Sequence, residues 1–314
     1  VYDESNNESE PAIKTVSNKD PLAKPEINTP KQGDKTVSGK APGAEKVDVI
    51  VTNKDGSEAE RRTNQSVNAD GTFTVPVDGL KDGQKITVKA SAKDKDPSEA
   101  SKKVGLELDK IKATDKDADK VIGDSKNKNN WDPANNHFDK NLDEKSKAAK
   151  DVIKAAEDND DTNDPTQDAI DTAEKELRDA LNKKDADTKV SAVEDKVKRG
   201  EKPTSADIQA AQEAIDKIEG STDPKAPNYD KDKKDLQDRL DLAKKIVEGE
   251  DRLKKDDIKD KPPKDVQDLN DAIDEGKKAI DAKDDKTKTE ATKKIDDAIA
   301  KINQERIKVG VESL

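Results

Sequence analysis

The chain has 314 residues, 43% of them charged and 2% aromatic, and its 61 basic and 73 acidic side chains leave a net charge of -12. That composition excludes one large aromatic core and leaves several small cores of Ala, Val and Ile beneath a solvated, mixed-charge surface. With no cysteine and a single histidine there is no disulfide, no thiol chemistry and no zinc site or catalytic triad to assemble, and no basic stretch free of Asp and Glu offers a nucleic-acid footprint.

Residues 1–24 are polar, cluster acids between Asp3 and Glu10, and lack periodicity, which predicts a disordered or extended tether. From about Lys24 the pattern changes to period 2. Val47, Val49 and Val51 alternate with polar neighbours, as do Phe73, Val75 and Val77, then Ile86, Val88 and Ala90, then Val104, Leu106 and Leu108. Such alternation marks half-buried antiparallel strands. Asp55-Gly56, Asp70-Gly71 and Asp82-Gly83 fall between the runs, where the glycine permits the positive φ of a tight hairpin. Short strands spaced by about 10 residues with such turns predict a β-sandwich over residues 25–109.

The order Gly39-x-Ala41-Pro42-Gly43, Val47-x-Val49, Asp70-Gly71-x-Phe73 and Gly83-x-x-Ile86-x-Val88-x-Ala90, closed by Ser98 and Ser101, resembles the bacterial immunoglobulin-like domain of Gram-positive surface proteins. The resemblance covers about 85 residues, and it departs from the family at Asp96-Pro97-Ser98, where a Gly-Asn turn is common. It implies an exported, wall-attached protein. The absence of Met, even at position 1, is read the same way, as a processed product or fragment whose signal peptide or anchor lies outside these residues. No apolar run approaches the roughly 20 residues of a membrane span.

After Asp109 the period becomes 3.6. Ile208, Ala211, Ile215 and Ile218 share one face, as do Leu236, Leu240, Ala243 and Val247, then Leu269, Ala272, Ile273, Ala279 and Ile280, then Ala291, Ile295, Ala298, Ile299 and Ile302. These are amphipathic helices of a bundle. Asp164-Pro165, with Gln167 at the capping-box position, and Pro262-Pro263 signal helix starts. The segment also repeats. Residues 131–140 align with 222–231, Ala149–Ile153 with Ala243–Val247, and Leu181–Lys189 with Ile280–Lys288. The fold class expected is therefore multidomain β then α: one immunoglobulin-like antiparallel sandwich, helical modules at 110–202 and 203–306, and a tail at 307–314. Each module should contain a short helix, an Asp-Pro loop, a long helix opening at the aromatic, and a closing hairpin around the Lys-Asp-x-Asp-x-Thr-Lys turn. That hairpin resembles the helical repeats of cell-wall adhesins and of albumin- or immunoglobulin-binding surface proteins. The stretch Arg199-Gly200-Glu201-Lys202-Pro203 reads as a hinge or as a tight turn between packed bundles.

Trp131, His137 and Phe138 gather in a chain with few other aromatics, and Tyr229 repeats the position of Phe138. Aromatics anchor interfaces, since they bury large area at low entropy cost, so these four are the candidate partner-binding residues. The competing role for Trp131, Phe138 and Tyr229 is packing, with the last two stapling a helix to the bundle. The acidic turn Glu157–Asp164 lacks the spacing of a calcium loop and reads as a solvated connection. His137 has no neighbouring nucleophile in sequence, and phosphate loops, nucleophile elbows and dinucleotide fingerprints are missing. No enzyme, cofactor or metal is expected. Immunoglobulin-like domains of such surface proteins sometimes carry a Lys–Asn cross-link, but no pair here is singled out by position. The expected function is that of an adhesin segment at the bacterial surface whose helical modules bind a host protein such as fibrinogen, fibronectin, albumin or immunoglobulin, with the sandwich as spacer. The alternative is a stalk that projects a more N-terminal domain from the wall.

Overall fold

A computed structural model describes residues 19–157 and 165–304. Residues 1–18 of the tether expected over 1–24, the acidic turn after Glu157 and the tail at 307–314 lie outside the described residues; the end of that tether is corrected, since Leu22 is buried in the β core and its N–H donates to the Asp96 carbonyl. The chain divides into two compact units, Val1–Asp109 with Ala156–Ala169, and Lys110–Ala155 with Ile170–Leu314.

Among the described residues the first unit holds seven strands: β1 (Glu26–Ile27), β2 (Thr36–Lys40), β3 (Lys46–Thr52), β4 (Glu58–Ser66), β5 (Thr72–Pro76), β6 (Lys85–Ser91) and β7 (Ser98–Lys103). They pair antiparallel in two sheets, ordered β1-β2-β5 and β4-β3-β6-β7. Three of the four alternating runs bury the expected face. Val47, Val49, Phe73, Val75, Ile86, Val88 and Ala90 all lie in one core, with β3 and β6 paired so that Val49 faces Val88 across the ladder. The fourth run is a correction. Val104 is buried but follows the last strand, which is the polar Ser98–Lys103 instead. β4 escaped the pattern for the same reason. Both are edge strands, and charged side chains there protect an edge without producing alternation.

The turns follow their chemistry. Gly56, Gly71 and Gly83 have φ of 84°, 83° and 77°. Asp55 accepts from the hydroxyl and backbone N–H of Ser57, and Asp70 from those of Thr72, and these bonds pull both carboxyls below their usual range. Around Asp96-Pro97-Ser98, Asp94 takes a left-handed φ of 59° and the Asp96 carbonyl accepts from Leu22 N–H. Gly39 makes a close approach. A Cβ there would lie 2.0 Å from the Glu26 carbonyl oxygen and 2.9 Å from Phe73 Cζ. Gly39→Ala should therefore force β1 off β2 and destabilise this unit by about 1–3 kcal/mol. Loss of amide protection at Asn28, whose N–H donates to Ser38, would report it, and unchanged exchange would count against the clash.

The second unit is built from α1 (Asp109–Asn127), α2 (His137–Glu157), α3 (Gln167–Lys198), α4 (Ser205–Asp216), α5 (Lys231–Leu253), α6 (Pro263–Ala279) and α7 (Asp285–Asn303), with a 3-10 turn at Asp256–Asp260. The helical faces predicted over residues 208–302 are buried together, and Phe138 joins them with Ala186, Val190, Val193 and Val197 of α3. The helices on either side of residue 202 thus share a core. The Arg199–Pro203 stretch is a tight turn. Gly200 (φ 73°) and Glu201 return N–H bonds to Val197 and Lys196, a glycine-terminated helix end. Thr204 and Asp207 then form a reciprocal capping box, and Lys196 joins Asp207 across the turn, holding that carboxyl down at about 2.

Two expectations for this region are corrected. The hairpin predicted around residues 181–189 is absent, because α3 runs unbroken through them. In the second copy Asp284 caps α7 by accepting Thr287 N–H and hydroxyl, and the chain turns. In the first, the corresponding Asp185 pairs with Lys189 one turn on, and buried Ala186 replaces Asp285, so nothing stops the helix. The start expected at Asp164-Pro165 also shifts, since α3 begins at Gln167, while Asp164 itself lies outside the described residues. Thr166 caps α3 by accepting Ala169 N–H, while Gln167 exchanges hydrogen bonds with the backbone of Glu107.

Candidate functional site

The candidate site lies where the first turns of α2, α5 and α7 meet. Asn136 caps α2, its side chain accepting the N–H of Phe138 at 2.9 Å and of Asp139 at 3.0 Å. This places Phe138 in the first turn with its ring buried. His137, one residue earlier, keeps 64% of its side chain exposed, stands edge-on to the Phe138 ring at 5.2 Å, and meets Asp232 through Nε2 at 2.9 Å. Trp131 sits partly buried in the preceding loop, next to Asp132, whose N–H donates to buried Asp139. Tyr229 is 37% exposed, the one large apolar side chain so exposed among the described residues. Its loop is closed by Ser221 N–H to Asn228 and Asp230 N–H to Ser221.

The expected equivalence of Phe138 and Tyr229 therefore separates. Tyr229 precedes the cap of α5, Asp230, whereas Phe138 follows the cap of α2. Matching cap to cap aligns Leu142 with Leu236 and Ala149 with Ala243, all fully buried, and sets Phe138 opposite Asp232. Aligned by loop and aligned by cap, the two segments differ in register by three residues, so Phe138 falls within the first turn of its helix whereas Tyr229 stands before the cap of its own.

His137 and Phe138 border a groove of about 580 Å³ whose other walls include Lys231, Asp235, Ile280 and Lys283. Most of its charged side chains are engaged. Arg239 donates to Asp187 at 2.7 Å, Glu194 at 2.8 Å and Ser191 at 3.0 Å, tying α5 to α3. Burial works against the Arg239 charge, but Glu194 and Asp187 outweigh it and hold the guanidinium firmly protonated. Lys183 is likewise raised against its burial by Asp230 and Asp179, and Lys184 meets Asp139 at 2.5 Å. Lys288 is lowered, chiefly by burial, and donates to the carbonyls of Ala279 and Ile280 that end α6. Such a surface can recognise a partner through a few exposed rings among paired charges. Among the described residues no group of three or more His, Asp or Glu is arranged to hold a metal, and no helix is long and apolar enough to cross a membrane.

The groove unites His137 and Phe138, while Trp131 and Tyr229 stand on loops beside these helices rather than in its walls. Lys231, Asp232 and Arg239 were not anticipated. Arg239 alone carried a signal, since it stands one position from Leu240 and three from Leu236, beside a buried stripe.

No family model and no curated protein matches this chain. Among solved structures it is similar to CopC from Methylosinus trichosporium OB3b, at 11% identity over 28% of this chain and 92% of that one, with a TM-score of 0.23. A likeness that slight carries no argument about ligand or role.

Proposed function

We propose that the chain is part of a Gram-positive surface adhesin, acting outside the cell as a non-enzymatic binding protein. In this reading residues 25–109 form an immunoglobulin-like sandwich that serves as spacer, and the repeated helical modules bind a host matrix, plasma or cell-surface protein. The order of antiparallel strands and Asp-Gly turns supports the first part. The observation that carries the second is that the aromatics of both Asp-Pro loops keep some accessible surface, Trp131 partly buried and Tyr229 the most exposed large apolar side chain among the described residues.

The stalk reading has its own support: the loops and helices repeat out of register, so the two copies do not present one common face for bivalent capture. Binding of the whole chain to purified fibrinogen, fibronectin, albumin and immunoglobulin separates the two. The whole chain is needed because the helical core crosses residue 202. Specific binding of one of these, weakened about tenfold or more by Tyr229→Ala or Trp131→Ala, is expected of aromatic anchors. No binding of any of the four by folded protein would favour the stalk.

A further inference from the structure

Asp238 on α5 and Asp285 in the first turn of α7 approach the same ammonium group. Lys234 pairs with Asp238 one turn along its own helix and meets Asp285 at 3.3 Å. The three side chains are largely enclosed, and Asp238 keeps 16% of its side chain exposed. One ammonium balances one carboxylate, so with both acids ionised this enclosed cluster carries an excess negative charge. We propose that Asp238 and Asp285 share a proton in mildly acidic solution, and that this proton latches the first turn of α7 onto α5.

Protonated, Asp238 donates to Asp285 and the repulsion between two helices becomes a hydrogen bond. The proton belongs on Asp238. Asp285 stands at a helix N-terminus, where the dipole favours negative charge, whereas Asp238 lies two turns into α5. Two further cations attract Asp285 at a distance, but neither is bonded to the pair: Lys288 donates to the carbonyls of Ala279 and Ile280, and Lys231 is held on its own helix. Lys231 is committed to Asp235, Arg239 points to Asp187 and Glu194 of α3, α4 meets this stretch through neutral Gln212 on Gln237, and α6 reaches α5 further along through Lys277 and Glu250. Burial is the largest influence on the Asp238 carboxyl. With Asp285 it outweighs Lys234 and pushes the group up to about 6.

The sign follows. The folded chain holds a proton on Asp238 more readily than the unfolded chain, where an aspartate titrates near 3.9, so this group stabilises the fold as pH falls from about 6 towards 4. Asp230 and Glu174, both lowered by their partners, act in the opposite sense at lower pH. Since Asp285 also lines the groove, the latch firms one of its walls, whether or not that groove serves a partner.

The test is a carboxyl-carbon NMR titration of the whole chain, with helical melting at pH 7 and pH 5 for the native protein, Asp238→Asn and Asp285→Asn. The Asp238 signal should titrate near 6. The native melting point should gain about 2–4 °C on acidification relative to Asp238→Asn, whose amide keeps a hydrogen bond to Asp285 at both pH values. Asp285→Asn should return the Asp238 midpoint towards 4. An Asp238 midpoint below about 4.5 in the native chain, or a melting-point gain that Asp238→Asn retains in full, would overturn the latch.

Discussion

Replacing Arg239 with methionine should destabilise the helical unit by about 3–5 kcal/mol, the largest single effect expected in this chain. The guanidinium is 17% exposed and binds Asp187 and Glu194, themselves 7% and 10% exposed. Removing it leaves two enclosed carboxylates of α3 without their cation at the contact with α5, and stranding charge in a poorly solvated site is what makes such losses large. The same reasoning fixes the control. Arg239→Met combined with Asp187→Asn and Glu194→Gln removes the uncompensated charge and should recover most of the loss, although both single carboxylate changes also break contacts. Urea unfolding followed by helical circular dichroism measures all of these. A loss below about 1 kcal/mol for Arg239→Met would mean that water screens the cluster as it screens an exterior ion pair.

The second large effect separates two aromatics that look alike in sequence. Phe138→Ala should cost about 3 kcal/mol, because it empties a buried position that joins α2 to the core of α3 and α5. Tyr229→Ala should stay within about 0.5 kcal/mol, since its ring lies outside that core. The pair also guards the binding measurement. Weaker binding after Tyr229→Ala with unchanged stability locates a contact, whereas weaker binding after Phe138→Ala reports a loosened bundle. Equal destabilisation by the two substitutions would show that the Tyr229 ring packs after all.

The strands with one buried face were legible because burial imposes period 2, and β3, β5 and β6 fall where Val47, Phe73 and Ile86 begin their runs. β4 and β7 were not, since an edge strand is specified by the neighbour it pairs with and keeps its own side chains in solvent. The same contrast separates α4 to α7, whose apolar stripes were plain, from the joint near residue 185. There the local residues resemble a turn, and the helix continues because Ala186 is buried, Asp187 is held by Arg239 and Lys184 by Asp139. Of the candidate site, the aromatics were legible as rare residues in a charge-rich chain. Which of them would be covered was not.

The sequence by itself determined the succession of β and helical segments, the turn positions set by Asp-Gly and Asp-Pro, and the faces that had to be hidden, because periodicity and backbone preferences are local properties of the chain. Only the tertiary structure decided that helices on both sides of residue 202 share a core, that α3 does not turn, and that Phe138 is enclosed while Tyr229 is not. Those outcomes depend on ion pairs between residues about 45 to 52 positions apart, as with Lys184 and Asp139 or Arg239 and Asp187. In a chain that is 43% charged, every such residue has many possible partners, and only the folded geometry selects one.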